Sequence, residues 1–136
     1  MELPQLDLVY VSFAIFLAAT AYQYLRPKGE RNYISVNVAE AYELIKENDD
    51  IYILDVRTRD EYRKGHLRKA KNIPLADIDK RLSKIPRNND VLVYCRNGAR
   101  SVRAIRRLEV AEYKNLYHMH EGYMGWKKTG HPTTER

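Results

Sequence analysis

Apolar positions fall along this chain in two different rhythms. Leu8 to Leu25, LVYVSFAIFLAATAYQYL, is 18 residues without a charge. Beyond it, short apolar runs alternate with stretches of helical period. Tyr33-Ile-Ser-Val36, Ile51-Tyr-Ile-Leu54, Lys71-Asn-Ile-Pro-Leu75, Val91-Leu-Val-Tyr94 and Leu116-Tyr-His-Met119 read as strands. Pro74 cannot donate to a ladder, which sends the third of these to a sheet edge. Between the strands the spacing predicts five helices. One runs from Val38 to about Asn48, capped by Asn37, with Ala41, Leu44 and Ile45 inward. A short one over Asp60–His66 closes at Gly65, and another spans Ala76–Ile85. A fourth runs from Ser101 to about Glu112 with Val102, Ile105 and Leu108 inward. The last, Gly122–Lys128, ends before Gly130 and Pro132. Strands alternating with helices predict an α/β fold: a mostly parallel sheet of about five strands with helices on both faces.

The first run stands apart. As a helix it reaches about 27 Å, close to the hydrocarbon thickness of about 30 Å. Tyr10, Tyr22 and Tyr24 lie toward its ends, where amphipathic rings favour the interface. Arg26, Lys28 and Arg31 follow, while Glu2 and Asp7 precede it, so the positive flank is expected to stay in the cytoplasm. Two other readings compete. Ala19-Thr20-Ala21 resembles a cleavage site, but the front end lacks the basic side chains of a signal peptide. A helix packed on the domain would need a clearer polar face than Ser12, Thr20 and Gln23 provide. The expected organisation is a transmembrane anchor over 1–25, a charged linker over 26–32 containing Pro27 and Gly29, and one domain over 33–136. The protein is expected at a membrane, single-pass through residues 8–25, with the domain facing the cytoplasm.

Charge adds to this picture. From Arg26 onward 24 Lys and Arg face 16 Asp and Glu, a net of +8. Such a surface can meet anionic lipid, nucleic acid or a small anionic substrate, or be solvated. Nucleic acid is not expected, because the arginines lack interleaved aromatics. The chain has one cysteine. That excludes an internal disulfide, a CxxC redox pair and a cysteine-based zinc site.

This cysteine sits at the most informative place in the chain. Val91–Tyr94 runs straight into Cys95-Arg96-Asn97-Gly98-Ala99-Arg100-Ser101. A buried parallel strand, a turn and a helix start predict backbone N–H groups converging on the thiol. Such a ring stabilises negative charge and therefore the thiolate, the nucleophilic form. With no second cysteine to resolve it, a nucleophile here must hand its cargo to another molecule. In an α/β sheet this position, beyond a strand's carboxyl end, is where ligands bind.

Several features in order carry a resemblance. They are Leu54-Asp-Val-Arg57, Glu61 with Gly65-His66-Leu67, Asn72-Ile-Pro74, the Cys95 loop with Gly98, Arg100 and Ser101, and Gly122 with Trp126, Gly130 and Pro132. From about Tyr33 to Pro132 the chain resembles a single-domain rhodanese. The resemblance implies a parallel α/β sheet carrying the cysteine loop at its edge. It also implies sulfurtransferase chemistry, in which a sulfane sulfur passes from a donor such as thiosulfate to Cys95 and then, from the persulfide, to cyanide or a thiol. Carried over, Cys95 is the catalytic nucleophile. Arg96, Asn97, Gly98, Ala99, Arg100 and Ser101 bind the substrate, their amides cradling the terminal sulfur and the two arginines holding the anionic donor. Asp55 and Arg57 support the loop, as an ion pair that could include Glu61. The partners implied are a small anionic sulfur donor and a thiol or sulfur-carrier acceptor; no cofactor and no metal are expected.

Two positions depart from the family. Glu112 stands where a glycine commonly ends the helix after the loop, so that turn is expected to close differently. Glu121 replaces the first of a usual glycine pair. The same fold also supports phosphatases and arsenate reductases, which carry one more residue between cysteine and arginine. Here four residues separate Cys95 from Arg100, and Ser101 stands where the phosphatase arginine would be. His118 and His120, two apart on a strand, would face one way and could begin a metal site, but no third ligand follows from spacing. Arg96, Arg100, Arg103, Arg106 and Arg107 could form a docking surface for an acidic carrier or a solvated face. The rival to an enzyme is an anchored, non-catalytic adaptor or redox sensor.

Overall fold

The computed structural model describes residues 7–25 and 31–135. The chain divides into two units, residues 1–30 and 31–136. The first contains helix α1, Leu8–Leu25, none of whose residues is buried. It is long and apolar enough to cross a membrane, with a mean hydropathy of 1.6. The acidic front residue Glu2, the basic flank at Arg26 and Lys28, and most of the expected linker lie outside the described residues.

In the second unit the elements follow as β1 (Tyr33–Val36), α2 (Val38–Glu47), β2 (Tyr52–Asp55), α3 (Arg59–Arg63), β3 (His66–Leu67) and β4 (Lys71–Asn72). Then come β5 (Val91–Tyr94), α4 (Ala99–Val110), β6 (Leu116–Met119), α5 (Gly122–Lys128) and β7 (Thr133–Thr134). Five strands form one parallel sheet in the order β1-β6-β5-β2-β4. These are the five strands expected, with β4 at an edge. All carboxyl ends therefore share one edge of the sheet, and β5, the strand that leads into Cys95, lies at the centre.

Alternation along β5 builds two cores. Val91, Val93 and Cys95 face one way, among Ile105 and Leu108 of α4 and Ile78 and Ile85 of the preceding segment. Leu92 and Tyr94 face the other way, among Val38 and Ala41 of α2 and Trp126 of α5. All four β5 residues are buried, as a central strand covered on both faces requires. Local signals set the helix starts. Asn37 and Glu40 form a reciprocal cap on α2, and Thr58 and Glu61 do the same for α3.

Three expectations need correction. The helix expected over Ala76–Ile85 is instead two 3₁₀ turns, Leu75–Asp77 and Leu82–Lys84. The amides there bond three residues back, Ile78 N to Leu75 O at 3.4 Å and Ile85 N to Leu82 O at 3.0 Å, and side chains from elsewhere hold the segment. Tyr113 Oη lies 2.9 Å from Leu82 O and 2.7 Å from Ile85 O, with one proton to offer the two carbonyls, and Arg107 Nη1 donates to Leu75 O at 3.2 Å. The second correction concerns Glu112. It adopts φ +67°, the left-handed conformation a glycine would supply. Its N–H donates to Glu109 O at 2.9 Å and that of Tyr113 to Leu108 O at 3.0 Å, so the turn closes in the ordinary glycine geometry despite the side chain. Third, α3 stops at Arg63, and His66–Leu67 pairs antiparallel with Thr133–Thr134, a small second sheet too short to leave a periodic signal. The helix after the cysteine also starts two residues early, at Ala99.

Candidate functional site

Cys95 leaves the central strand fully buried, and the chain then turns sharply at Gly98. Gly98 has φ +94°, and a Cβ there would run into the His120 carbonyl. Gly122 has φ +66°, and a Cβ there would meet the Arg96 carbonyl and crowd Asn97 N at 2.8 Å. These two glycines let the loop lie directly on β6 and the start of α5. The first amides of α5, unpaired within their own helix, close the contact. Tyr123 N donates to Cys95 O at 2.8 Å and Met124 N to Arg96 O at 3.1 Å.

Inside the turn, the Gly98 N–H donates to Cys95 Sγ at 3.2 Å, and Ser101 Oγ lies 3.3 Å from the sulfur. Burial pushes the thiol up. Hydrogen bonds from the Ser101 hydroxyl and from the amides of Ser101, Asn97 and Gly98 outweigh it and hold the thiol below its ordinary value. The turn thus sets the Gly98 amide and the Ser101 hydroxyl against the sulfur, an environment that favours the thiolate over the thiol. Asn97 Oδ1 accepts from Ala99 N at 3.3 Å, capping the first residue of α4.

Arg100 does not stand free. It bonds Glu61 of α3 through both terminal nitrogens, at 2.9 and 3.1 Å. Burial raises the Glu61 carboxyl, and the Arg100 hydrogen bond and charge more than reverse this, leaving it below the usual carboxylate range. Arg57 and Asp55 form a separate buried pair at 2.7 Å, and Arg57 also donates to Gly65 O at 2.6 Å. Glu61 therefore pairs with the loop arginine, leaving Asp55 and Arg57 to each other. Arg57 reaches the cysteine indirectly. Its guanidinium lies 4.1 Å over the Tyr123 ring, and Tyr123 N holds Cys95 O.

Beside the loop opens a cleft of about 410 Å³, lined by Arg57, Glu61, Lys64, Arg96, Tyr123, Met124, Lys127 and Lys128. Among the described residues no carboxylate forms an ion pair with Lys64, Arg96, Lys127 or Lys128. The cleft beside the turn is thus rich in positive charge. Arg96 was legible in the sequence as part of it. The α5 lysines were not, because only the fold brings that helix to the loop.

The two histidines part company. His118 is buried on β6, and its Nε2 lies 2.7 Å from Ser101 Oγ, whereas His120 follows the strand and is exposed. Among the described residues no group of three or more His, Cys, Asp or Glu is placed to hold a metal ion. Sequence reasoning missed the place of His118 next to the thiol. The signal was its position near the carboxyl end of a strand adjacent to β5. Glu121, the other departure from the family, puts its carboxylate 3.2 Å from Val38 N at the start of α2, where a helix amide lacks a partner.

Comparison with known proteins agrees with this geometry. The family model of the Rhodanese-like domain matches residues 37–129. A thiosulfate sulfurtransferase of Coxiella burnetii is 33% identical over 103 residues, covering 76% of this chain and 94% of the relative. Thiosulfate sulfurtransferase 18 of Arabidopsis thaliana is 35% identical over 107 residues, covering 68% and 77%. Among solved structures, a rhodanese-related protein from Thermoplasma volcanium superposes with a TM-score of 0.69 at 29% identity, covering 76% of this chain and all of that one. With its parallel sheet, its cysteine turn and the match across most of its second unit, the chain belongs to the rhodanese-like domain family.

Proposed function

We propose that the chain is a sulfurtransferase working through a Cys95 persulfide. The Cys95 thiolate attacks the sulfane sulfur of a small anionic donor such as thiosulfate. The sulfur–sulfur bond of the donor breaks, and sulfite leaves with the electron pair. A thiolate or cyanide then attacks the outer sulfur, and Cys95 departs as the thiolate. The observation that carries this reading is the buried sulfur held below its ordinary pKa by three loop amides and the Ser101 hydroxyl. Such a turn stabilises the anion that begins each cycle and the one that ends it. The names of the relatives support the same chemistry at family level.

The basic cleft draws in the donor. Arg96 lines it, and Arg100 holds the donor oxygens with the N–H groups that Glu61 leaves open. Asp55 and Arg57 support the loop through Tyr123. The test is cyanide-dependent consumption of thiosulfate. Cys95→Ser abolishes it in this reading, and full turnover in that variant removes Cys95 from the mechanism. A correctly folded wild-type chain that forms no persulfide from any sulfane donor would instead favour the adaptor or redox-sensor reading.

The same proposal places α1 in a membrane as a single-pass anchor, with the domain on the cytoplasmic side. Its support is an uncharged helix of spanning length followed in sequence by basic residues. Extraction of membrane fractions with alkaline carbonate tests it. An anchored chain stays in the pellet, and release into the supernatant contradicts the anchor.

A further inference from the structure

Ser101 Oγ has three polar neighbours. Cys95 Sγ lies at 3.3 Å, Gly98 O at 3.1 Å and His118 Nε2 at 2.7 Å. A hydroxyl offers one proton and two acceptor sites. Gly98 O can only accept, and a thiolate can only accept. Once Cys95 ionises, the single Ser101 proton therefore has two acceptors waiting for it, the sulfur and the carbonyl. If the imidazole also presented a bare Nε2, there would be three. The arrangement favours the sulfur only if the shortest of the contacts is a donor.

We propose that His118 is a positioning residue for the Cys95 thiolate: its Nε2–H donates to Ser101 Oγ and leaves the hydroxyl proton free for Cys95 Sγ. The proposal rests on the reading of Cys95 as a nucleophile and does not depend on sulfur being its cargo. In the thiol state Oγ accepts from both Cys95 S–H and His118 Nε2–H and donates to Gly98 O. When the thiol proton leaves to solvent, the Ser101 O–H rotates from Gly98 O to Sγ. No bond to His118 changes, and the imidazole is neutral before and after.

The surroundings of the ring fit a neutral donor. His118 is 5% exposed. The titratable groups facing it are Tyr33 of β1, edge-on at 5.9 Å, His120 on its own side of the sheet, and Cys95 through Ser101. None is a carboxylate that would hold a positive imidazolium. Burial first, and then the neighbouring His120, keep the imidazole below its ordinary value.

The test is the rate of Cys95 alkylation by iodoacetamide as a function of pH, which needs no sulfur donor. His118→Ala is expected to move the midpoint up by about half a pH unit, the scale of one modest hydrogen bond. His118→Gln, whose amide can donate, should bring it back toward wild type. In a Ser101→Ala background His118→Ala should add nothing further. An unmoved midpoint, or an equal shift with and without Ser101, overturns the proposal. A purely structural role would not show that dependence on Ser101. If His118→Ala does not fold, nitrogen-15 spectra of the wild-type imidazole decide the matter. The Nε2–H tautomer is required, and the Nδ1–H tautomer overturns it. Loss of sulfur transfer with these alkylation results intact would sink the proposed function and leave the His118 assignment standing.

Discussion

Arg100 and Glu61 meet through two parallel hydrogen bonds, so the arginine of the cysteine turn is tied to helix α3. The pair joins two elements 39 residues apart in sequence, and its Glu61 lines the basic cleft. It also puts one negative charge in a wall that is otherwise cationic. Removing that charge as Glu61→Gln should lower the KM for thiosulfate by roughly two- to five-fold, the effect of a half-exposed charge worth up to about 1 kcal/mol. Arg100→Ala should raise KM, and kcat should change less than KM in both. Steady-state kinetics at constant ionic strength checks this; an Arg100→Ala enzyme with unaltered KM contradicts the donor-holding role.

Acid should undo the same pair. The Glu61 carboxyl titrates below its unfolded value. Its stabilising contribution is therefore complete above the ordinary carboxylate range and is lost as pH falls through the folded pKa. Comparing the acid unfolding of wild type with that of Glu61→Gln measures it. The difference in stability should shrink toward zero at low pH, and a difference that grows on acidification contradicts the sign.

The thiol makes the opposite use of pH. Only the thiolate reacts, so alkylation should rise with pH and level off, with a midpoint below the ordinary 9.0 of a cysteine. Ser101→Ala removes the hydroxyl hydrogen bond and should move the midpoint up while the fold persists. A wild-type midpoint above 9.0 would mean that burial outweighs the loop amides.

Two backbone positions with left-handed φ give substitutions of opposite sign. At Gly98, φ +94° and the adjacent His120 carbonyl leave no room for a methyl group. Gly98→Ala should cost at least about 1–2 kcal/mol and slow Cys95 alkylation, because the Gly98 amide that faces the sulfur shifts with the loop. At Glu112, φ +67° already strains an ordinary residue, and its carboxylate follows a helix C-terminus where negative charge is disfavoured. Glu112→Gly should therefore stabilise the domain by about 1 kcal/mol, several degrees in Tm. Thermal unfolding of the two variants reads both signs, and stabilisation by Gly98→Ala would refute the close packing of loop on β6.

What the sequence showed and hid follows from how local each signal is. Val91–Tyr94 is buried on both faces and bounded by turn residues, so its burial and its run into the cysteine turn were readable, whereas its central place in the sheet was not. The caps at Asn37 and the five strands were equally local. Ala76–Ile85 was misread because Ile78, Leu82 and Ile85 have helical spacing, while the contacts of Arg107 and Tyr113 with this segment, made from far along the chain, leave no local signal. The Arg100–Glu61 pair, the α5 lysines in the cleft and the contact of His118 with Ser101 share that character. Each joins elements that only the sheet order β1-β6-β5-β2-β4 brings together. Glu112 was read as changing the turn, but the chain kept the glycine geometry, because the Tyr113 side chain must still reach Leu82 and Ile85.

The central claim is that Cys95 carries sulfur. Intact-mass spectrometry of the full chain after incubation with thiosulfate, followed by peptide mapping, tests it most directly. A gain of about 32 Da, one sulfur atom on the low-pKa thiol, should map to Cys95, disappear on adding cyanide, and be absent from Cys95→Ser. A folded wild-type chain whose Cys95 alkylates readily but never acquires that mass from any sulfane donor would contradict it.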